Sequence, residues 1–256
     1  FMVFPIYLAI ITSIKPVEEL FIFPPKFYPM NPTLDNFRDM FRVLGQMWVP
    51  FSRYVWNSVF VTVVVTVAQC VVASMAAFVL AKCKFPGNGI INKIIVISLL
   101  YNSNVIYIMQ YMVMSELNLI NTTRALILPS IASAMGLFLM RQSMSQVPDA
   151  MIEAAKVDGA GPIRIFFSIT LPEIKLPLFY TTIMTTTGAF NVWGQPVMLT
   201  NGGPNYQTQV LLMDIRNLAF PAGPAAAGMA SAMALLLGII LMAIAAIQLI
   251  FMNKED

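Results

Sequence analysis

The chain has 256 residues, of which 58% are hydrophobic and 11% charged, and its 15 Lys and Arg against 12 Asp and Glu leave a net charge of +3. A soluble domain carries about 25% charged residues, so the composition excludes a water-soluble globule and predicts an all-α integral membrane protein. The small net charge, with no dense basic cluster, excludes a nucleic-acid partner. Histidine is absent, and Cys70 and Cys83 have no motif neighbours, so neither a metal site nor a disulfide is expected.

Charged side chains rarely enter the bilayer core, so charge-free gaps mark the spans. The first gap, residues 1–14, has no basic leader and no small-residue cleavage site, and is read as the rear half of a first helix rather than a signal peptide. Residues 15–53 are Pro-rich, at Pro24, Pro25, Pro29 and Pro32, and then helix-like over 33–43. They predict an external loop with a short amphipathic helix. Further spans are expected at 54–81, 94–115, 125–140, 176–199 and 225–252, which makes six helices in a single domain. Asn201-Gly202-Gly203-Pro204-Asn205 closes the fifth, and Pro221-Ala222-Gly223-Pro224 opens the sixth. Lys82, Lys84 and Lys93 crowd the second connection, and Arg141, Lys156, Arg164 and Lys175 the fourth, which places both on the cytoplasmic side. Ala73, Ala77 and Ala81, and again Ala226, Ala230 and Ala234, recur every four positions and predict helix contacts through small residues.

The fourth connection, 146–172, is a polar island between apolar spans. Pro148 suits a first helical turn, and Asp149 and Glu153 favour a helix N-terminus. Met151, Ala154, Ala155 and Asp158 fall at i, i+3, i+4 and i+7, which is one face. Gly159 stands where the helix must stop. Pro162 starts a second short helix carrying Ile163, Phe166 and Phe167, and Leu171-Pro172 is expected to break the chain before the fifth span. By physics alone, an amphipathic helix on the membrane surface is an alternative.

Glu153-Ala154-Ala155, Gly159 and Ile169-x-Leu171-Pro172 resemble, without a gap, the EAA signature of membrane subunits of ATP-binding-cassette importers. Asp158-Gly159-Ala160 and Phe166 or Phe167 look like the carbohydrate-uptake, maltose-type branch. Similar, too, are the Pro32-Thr33-Leu34-Asp35-Asn36-Phe37 segment, Asn57-Ser58, Leu117-x-Leu119-Ile120-Asn121-Thr122 and Leu199-Thr200-Asn201-Gly202-Gly203-Pro204 with Ala219-Phe220. The start looks like the shorter of the two permeases in such systems, the Asn-Gly-Gly-Pro loop like the longer. The resemblance implies a six-helix type I importer permease fold in the bacterial inner membrane, with cytoplasmic coupling helices. It implies that Met151, Glu153, Ala154, Ala155, Asp158, Gly159 and Ala160 meet an ATPase dimer. It further implies a second homologous permease, an extracytoplasmic solute-binding protein and a sugar as partners. No cofactor belongs to this chain; ATP and Mg belong to the ATPase.

No charged residue lies mid-span, where a proton-coupled transporter needs a relay. No G-x-x-x-x-G-K-[ST] phosphate loop is present, so the chain is no ATPase and the energy must come from another polypeptide. Two mid-span clusters mix amides with aromatics: Tyr101, Asn102, Ser103, Asn104, Tyr107 and Gln110, and Phe190, Asn191, Trp193 and Gln195. Amides match sugar hydroxyls and aromatic faces match sugar C–H surface without an intramembrane charge. Phe190-Asn191 matches a substrate-contacting Phe-Asn pair of the maltose importer's membrane subunit, while Gly194 stands near the place of that family's next asparagine. The candidate substrate residues are therefore Tyr101, Asn104, Tyr107, Phe190, Asn191 and Gln195. The competing reading is that the amides bind helices together and the aromatics pack. Other classes left open are an importer of a polyol or glycerol phosphate, a transporter or channel needing no ATPase, and a membrane scaffold.

Overall fold

The computed structural model describes residues 3–46, 50–101, 103–220 and 223–253. The described elements are helical. In chain order they are α1 (Phe4–Ile14), α2 (Val17–Leu20), α3 (Asp35–Gln46), α4 (Phe51–Lys82), α5 (Asn88–Ser98), α6 (Ser103–Glu116), α7 (Thr123–Ile131), α8 (Ala134–Gln146), α9 (Asp149–Val157), α10 (Pro162–Ile165), a π turn at Phe166–Thr170, α11 (Leu171–Glu173), α12 (Lys175–Phe190), α13 (Gly194–Leu199), α14 (Leu211–Ala219) and α15 (Pro224–Asn253). Among the described residues, three helical stretches are long and apolar enough to cross a membrane: Ser52–Lys82, Thr123–Gln146 and Ala226–Met252.

The second and sixth expected spans are found as the long helices α4 and α15. The third, fourth and fifth spans differ from expectation, whereas α1 ends at Ile14 as read from the sequence. The third is two helices, α5 and α6, and α5 begins six residues before the predicted start, directly after Gly87 at φ +93°. Ser98 Oγ donates to Ile95 O at 2.7 Å, and the chain tightens as Leu100 N and Tyr101 N bond three residues back. The fourth is α7 plus α8, running past Arg141 to Gln146, with a break at Ala132–Ser133 where the Ser133 hydroxyl caps Gly136 N at 3.1 Å. The fifth stops at Phe190 and resumes as α13. Leu171-Pro172 does not break the chain. Pro172 has no N–H to give an α-ladder, and the ladder ahead of it widens into the π turn, with Leu171 N on Phe166 O.

Two compact units divide the chain. One comprises Phe1–Val59 with Phe190–Ile250. Its core is Met40, Phe190, Leu211, Ile215, Ala232, Met233 and Leu237. Asn36 is buried and donates to Ser13 O at 2.8 Å and Lys15 O at 2.7 Å, which satisfies carbonyls at the end of α1. Gly228 lets α15 approach that amide: a Cβ there would stand 2.5 Å from Asn36 Oδ1. The predicted Ala226–Ala230–Ala234 stripe is only partly the buried line. Ala226, Ala230, Met233 and Leu237 are buried, whereas Ala234 is exposed. A strict four-residue repeat drifts off one face of a helix with 3.6 residues per turn. Between α1 and α3, the Glu19 carboxylate accepts from Met30 N at 2.9 Å and Asn31 N at 2.7 Å.

The second unit comprises Phe60–Ala189 with Phe251–Asp256. Ala73 and Ala77 of α4 pack on Met140 and Met144 of α8, with Val147 and Ile174, so the first alanine stripe is a helix contact as expected. A polar seam joins α4 to α12: the Thr66 and Thr186 hydroxyls lie 3.4 Å apart, and Cys70 Sγ lies 3.3 Å from Thr182 Oγ1. Such pairs average about 0.6 kcal/mol each in membranes, so the seam aligns the helices more than it stabilises them.

Candidate functional site

The polar island folds as a helix–turn–helix in the second unit. Pro148 stands at the N-cap of α9, one residue ahead of the first turn expected for it, and Asp149 places its charge in that turn. Ile152 is the buried face of α9; Met151, Glu153, Ala154, Lys156 and Asp158 are exposed, and Ala155 is half-buried. The face picked out by spacing is therefore the outward one. The helix stops as predicted. Gly159 has φ +79°, its N–H bonds Lys156 O at 3.0 Å, and Ala160 N bonds Ala155 O at 2.9 Å. These two bonds are a Schellman ending. Pro162 then opens α10, which buries Ile165. Sequence patterning missed how much apolar surface this element shows: Val157 is 88% and Ile163 74% exposed, and Phe167 is exposed too.

Both ends of this element are tied to α4. Lys82, whose side chain is 8% exposed, donates to Val147 O at 2.6 Å and pairs with Asp149 Oδ1 at 2.7 Å. The hydrogen bond from Lys82, then its charge, holds the Asp149 carboxyl below the usual carboxylate range. Phe78, one turn earlier on α4, meets the Phe166 ring edge-on at 5.6 Å. In the sequence Lys82 counted only among the basic residues that orient the second connection.

The candidate substrate residues fall in different places. Tyr101 is exposed in the break after α5, and Tyr107 is half-buried on α6, both in the second unit. Asn102 and the Asn104 side chain lie outside the described residues. In the first unit Phe190 is a core residue and Gln195 is buried on α13, while Asn191 is exposed in the turn between α12 and α13. The ring of Phe190 thus packs against Leu211 and Met233 neighbours, and the exposed partner of the Phe-Asn pair is the amide.

The loop after α13 is organised by groups that the sequence placed far apart. The Thr208 hydroxyl donates to Gly203 O at 2.6 Å and lies 2.7 Å from that of Thr200. Asn57 Nδ2 donates to Tyr206 O and Gln209 O at 3.1 Å each, and Ser58 Oγ accepts from Leu211 N at 3.0 Å. The head of α4 therefore holds the Asn-Gly-Gly-Pro loop in register. Arg216 of α14 sits over the Trp193 ring, 4.4 Å from its centroid. Asp214, buried on the same helix, accepts from Gln209 Nε2 through Oδ1, and its Oδ2 has no hydrogen-bond partner. Burial pushes its carboxyl up to about 6, against the opposing pull of Gln209. No motif or spacing in the sequence singled out Asp214.

The chain thus combines long apolar helices with an exposed, Gly-terminated amphipathic element. Residues 43–252 match the family model for the inner membrane component of binding-protein-dependent transport systems, and the chain belongs to that family. It is a multi-pass subunit of an inner-membrane importer and a transporter rather than an enzyme; membership implies an ATPase and a solute-binding protein as partners. Among its relatives, the arabinooligosaccharides transport system permease protein AraQ of Halalkalibacterium halodurans is 30% identical over 203 residues, covering 78% of this chain and 71% of that one. The sn-glycerol-3-phosphate transport system permease protein UgpE of Brucella suis is 29% identical over 203 residues, covering 77% and 71%. The fold matches a chain of a bacterial ABC transporter involved in the import of the acidic polysaccharide alginate, with TM-score 0.73 and 18% identity over 99% of this chain and 90% of that one.

Proposed function

We propose that this chain is one of two homologous permease subunits of an ATP-driven importer of a neutral sugar, most simply an oligosaccharide. It forms half of the translocation pathway. The α9–α10 element is its cytoplasmic coupling segment, with Met151, Glu153, Ala154, Ala155, Asp158, Gly159 and Ala160 against the ATPase, which alone uses ATP and Mg. Closure of the ATPase dimer shifts the permease pair between inward- and outward-open populations. The observation that carries the reading is the outward face of α9, closed by the Gly159 Schellman turn and tied to α4. The amide-and-aromatic residues Tyr101, Tyr107, Asn191 and Gln195, with Asn104, are the sugar-path candidates, and Phe190 backs Asn191 from the core.

A second reading, glycerol phosphate as cargo, is favoured by the UgpE relatives. The two differ in charge: a phosphate requires cationic partners along the path, and the candidate path residues are neutral. Thermal-shift titration of the cognate binding protein with arabinooligosaccharides and with sn-glycerol 3-phosphate separates them. For coupling, Ala154→Cys is expected to crosslink to the ATPase with a yield that changes with nucleotide. Labelling of that cysteine from the external side alone would overturn both contact and orientation.

A further inference from the structure

Lys82 lies between three pieces of chain. It ends α4; its ammonium takes the carbonyl of Val147, which closes α8, and the carboxylate of Asp149, which opens α9. Pro148, whose ring fixes φ, sits between the two acceptors. The ammonium therefore grips the α8–α9 joint on both sides of its stiffest residue. Phe78 and Lys82 are four residues apart, on one face of α4. Phe78 holds Phe166, just beyond α10, by an edge-on ring contact at 80°. One face of one helix thus holds the exposed element at its entrance and at its exit. Asn88 Nδ2 donates to Leu80 O at 3.1 Å and Cys83 O at 3.3 Å, which closes the end of α4 that bears the grip.

We propose that Lys82 is a positioning residue for energy coupling: through the Val147 carbonyl and the Asp149 carboxylate it locks α9 to α4, so that displacement of the coupling helix becomes displacement of α4. The Lys82 side chain is 8% exposed, so its ammonium must keep its hydrogen bonds or leave its shielded place. The bond to the Val147 carbonyl is the shielded arm of the link, and the Asp149 carboxylate, 77% exposed, is the solvent-facing arm. Phe78 supplies the second point of the grip, and two points prevent rotation of α9 about one contact. The inference rests on the reading of α9 as the ATPase-coupling helix.

The test uses the complete complex, with both permeases and the ATPase, in nanodiscs. Spin labels go on Met75→Cys of α4 and Ala150→Cys of α9, in a Cys70→Ser, Cys83→Ser background. Distances are read without nucleotide and with ATP and vanadate. In the otherwise native chain the distance is expected to be narrow and the same in both states. With Lys82→Met it should broaden and shift on trapping by about 2 Å or more, the scale of a helix shift, while ATP hydrolysis continues. Lys82→Arg should restore the native distribution. Asp149→Ala, at an exposed carboxylate, should loosen the link in the same direction, and it carries the measurement if Lys82→Met does not assemble. A residue of purely structural role would lower thermal stability and leave the nucleotide response untouched. Native-like distances in both states for Lys82→Met, or for Asp149→Ala where Lys82→Met does not assemble, would overturn the proposal. Failure of the coupling reading itself shows separately, as absence of the Ala154→Cys crosslink in a complex whose α4–α9 distance is fixed.

Discussion

Among the described residues, Asp214 has a carboxyl pushed well above the ordinary carboxylate range by burial. Its carboxyl is buried, one oxygen is bonded by Gln209 and the other has no partner, so the neutral form is favoured. The folded-state value is raised from 3.8 to about 6. Below the lower figure the group is protonated folded or unfolded, and it costs nothing. As pH rises from there to about 6, only the unfolded chain loses the proton readily, and the fold is penalised. Two pH units correspond to at most about 3 kcal/mol. Asp214→Asn should therefore flatten the fall in thermal midpoint between pH 4 and 7 and leave the variant more stable than the native protein above about pH 6. Parallel midpoint curves for the two proteins would show that Asp214 stays ionised and solvated. Arg216, two residues on, does not neutralise the carboxylate because it is turned onto Trp193.

At the scale of the element, the α9–α10 turn depends on one backbone conformation. Nothing lies within 4 Å of a Cβ built on Gly159, so space is not the constraint; φ +79° is. A β-branched residue held there costs on the order of 1–3 kcal/mol, which is comparable with the two Schellman bonds that the turn makes. Gly159→Val should relax the turn, redirect α10 and uncouple uptake from ATP hydrolysis, with assembly retained. Uptake per ATP in proteoliposomes is the readout, and a native ratio would remove Gly159 from coupling. This element was the most legible part of the chain, because Pro148, the EAA face and Gly159 are local signals that act within a few residues. The breaks at 99–101 and 132–133 were not legible. They arise from Ser98 and Ser133 hydroxyls bonding neighbouring backbone, inside stretches that contain no charge. The continuity through Leu171-Pro172 was hidden for the opposite reason: proline signals a stop locally, and the π turn accommodates it.

For the whole molecule, the proposed sugar path is tested at Asn191. Asn191 is exposed beside a buried Phe190, at the point where the helical rise stops between α12 and α13. Asn191→Leu is expected to reduce transport by the loss of one hydrogen bond to a sugar hydroxyl, about 1–3 kcal/mol or roughly fivefold to 150-fold. Basal ATP hydrolysis and assembly should persist. If the amide instead holds helices together, thermal stability falls first, and an intact complex with normal uptake removes Asn191 from the path.

Charge spacing and composition by themselves determined that the chain crosses a membrane, where α4 and α15 lie, and that a polar, Gly-terminated helix interrupts the apolar spans. These properties follow from the cost of placing charge in lipid and from the local geometry of capping. Only the tertiary structure decided that Lys82 grips Val147 and Asp149, that Asn57 and Ser58 hold the loop before α14, and that Asp214 is buried with an unpaired oxygen. Residues 57 and 206 or 82 and 149 are far apart in the chain. Neither propensity nor periodicity carries information over such separations; the pairings exist because the folded helices bring backbone carbonyls and side-chain donors within 3 Å of each other, where a buried polar group must find a partner.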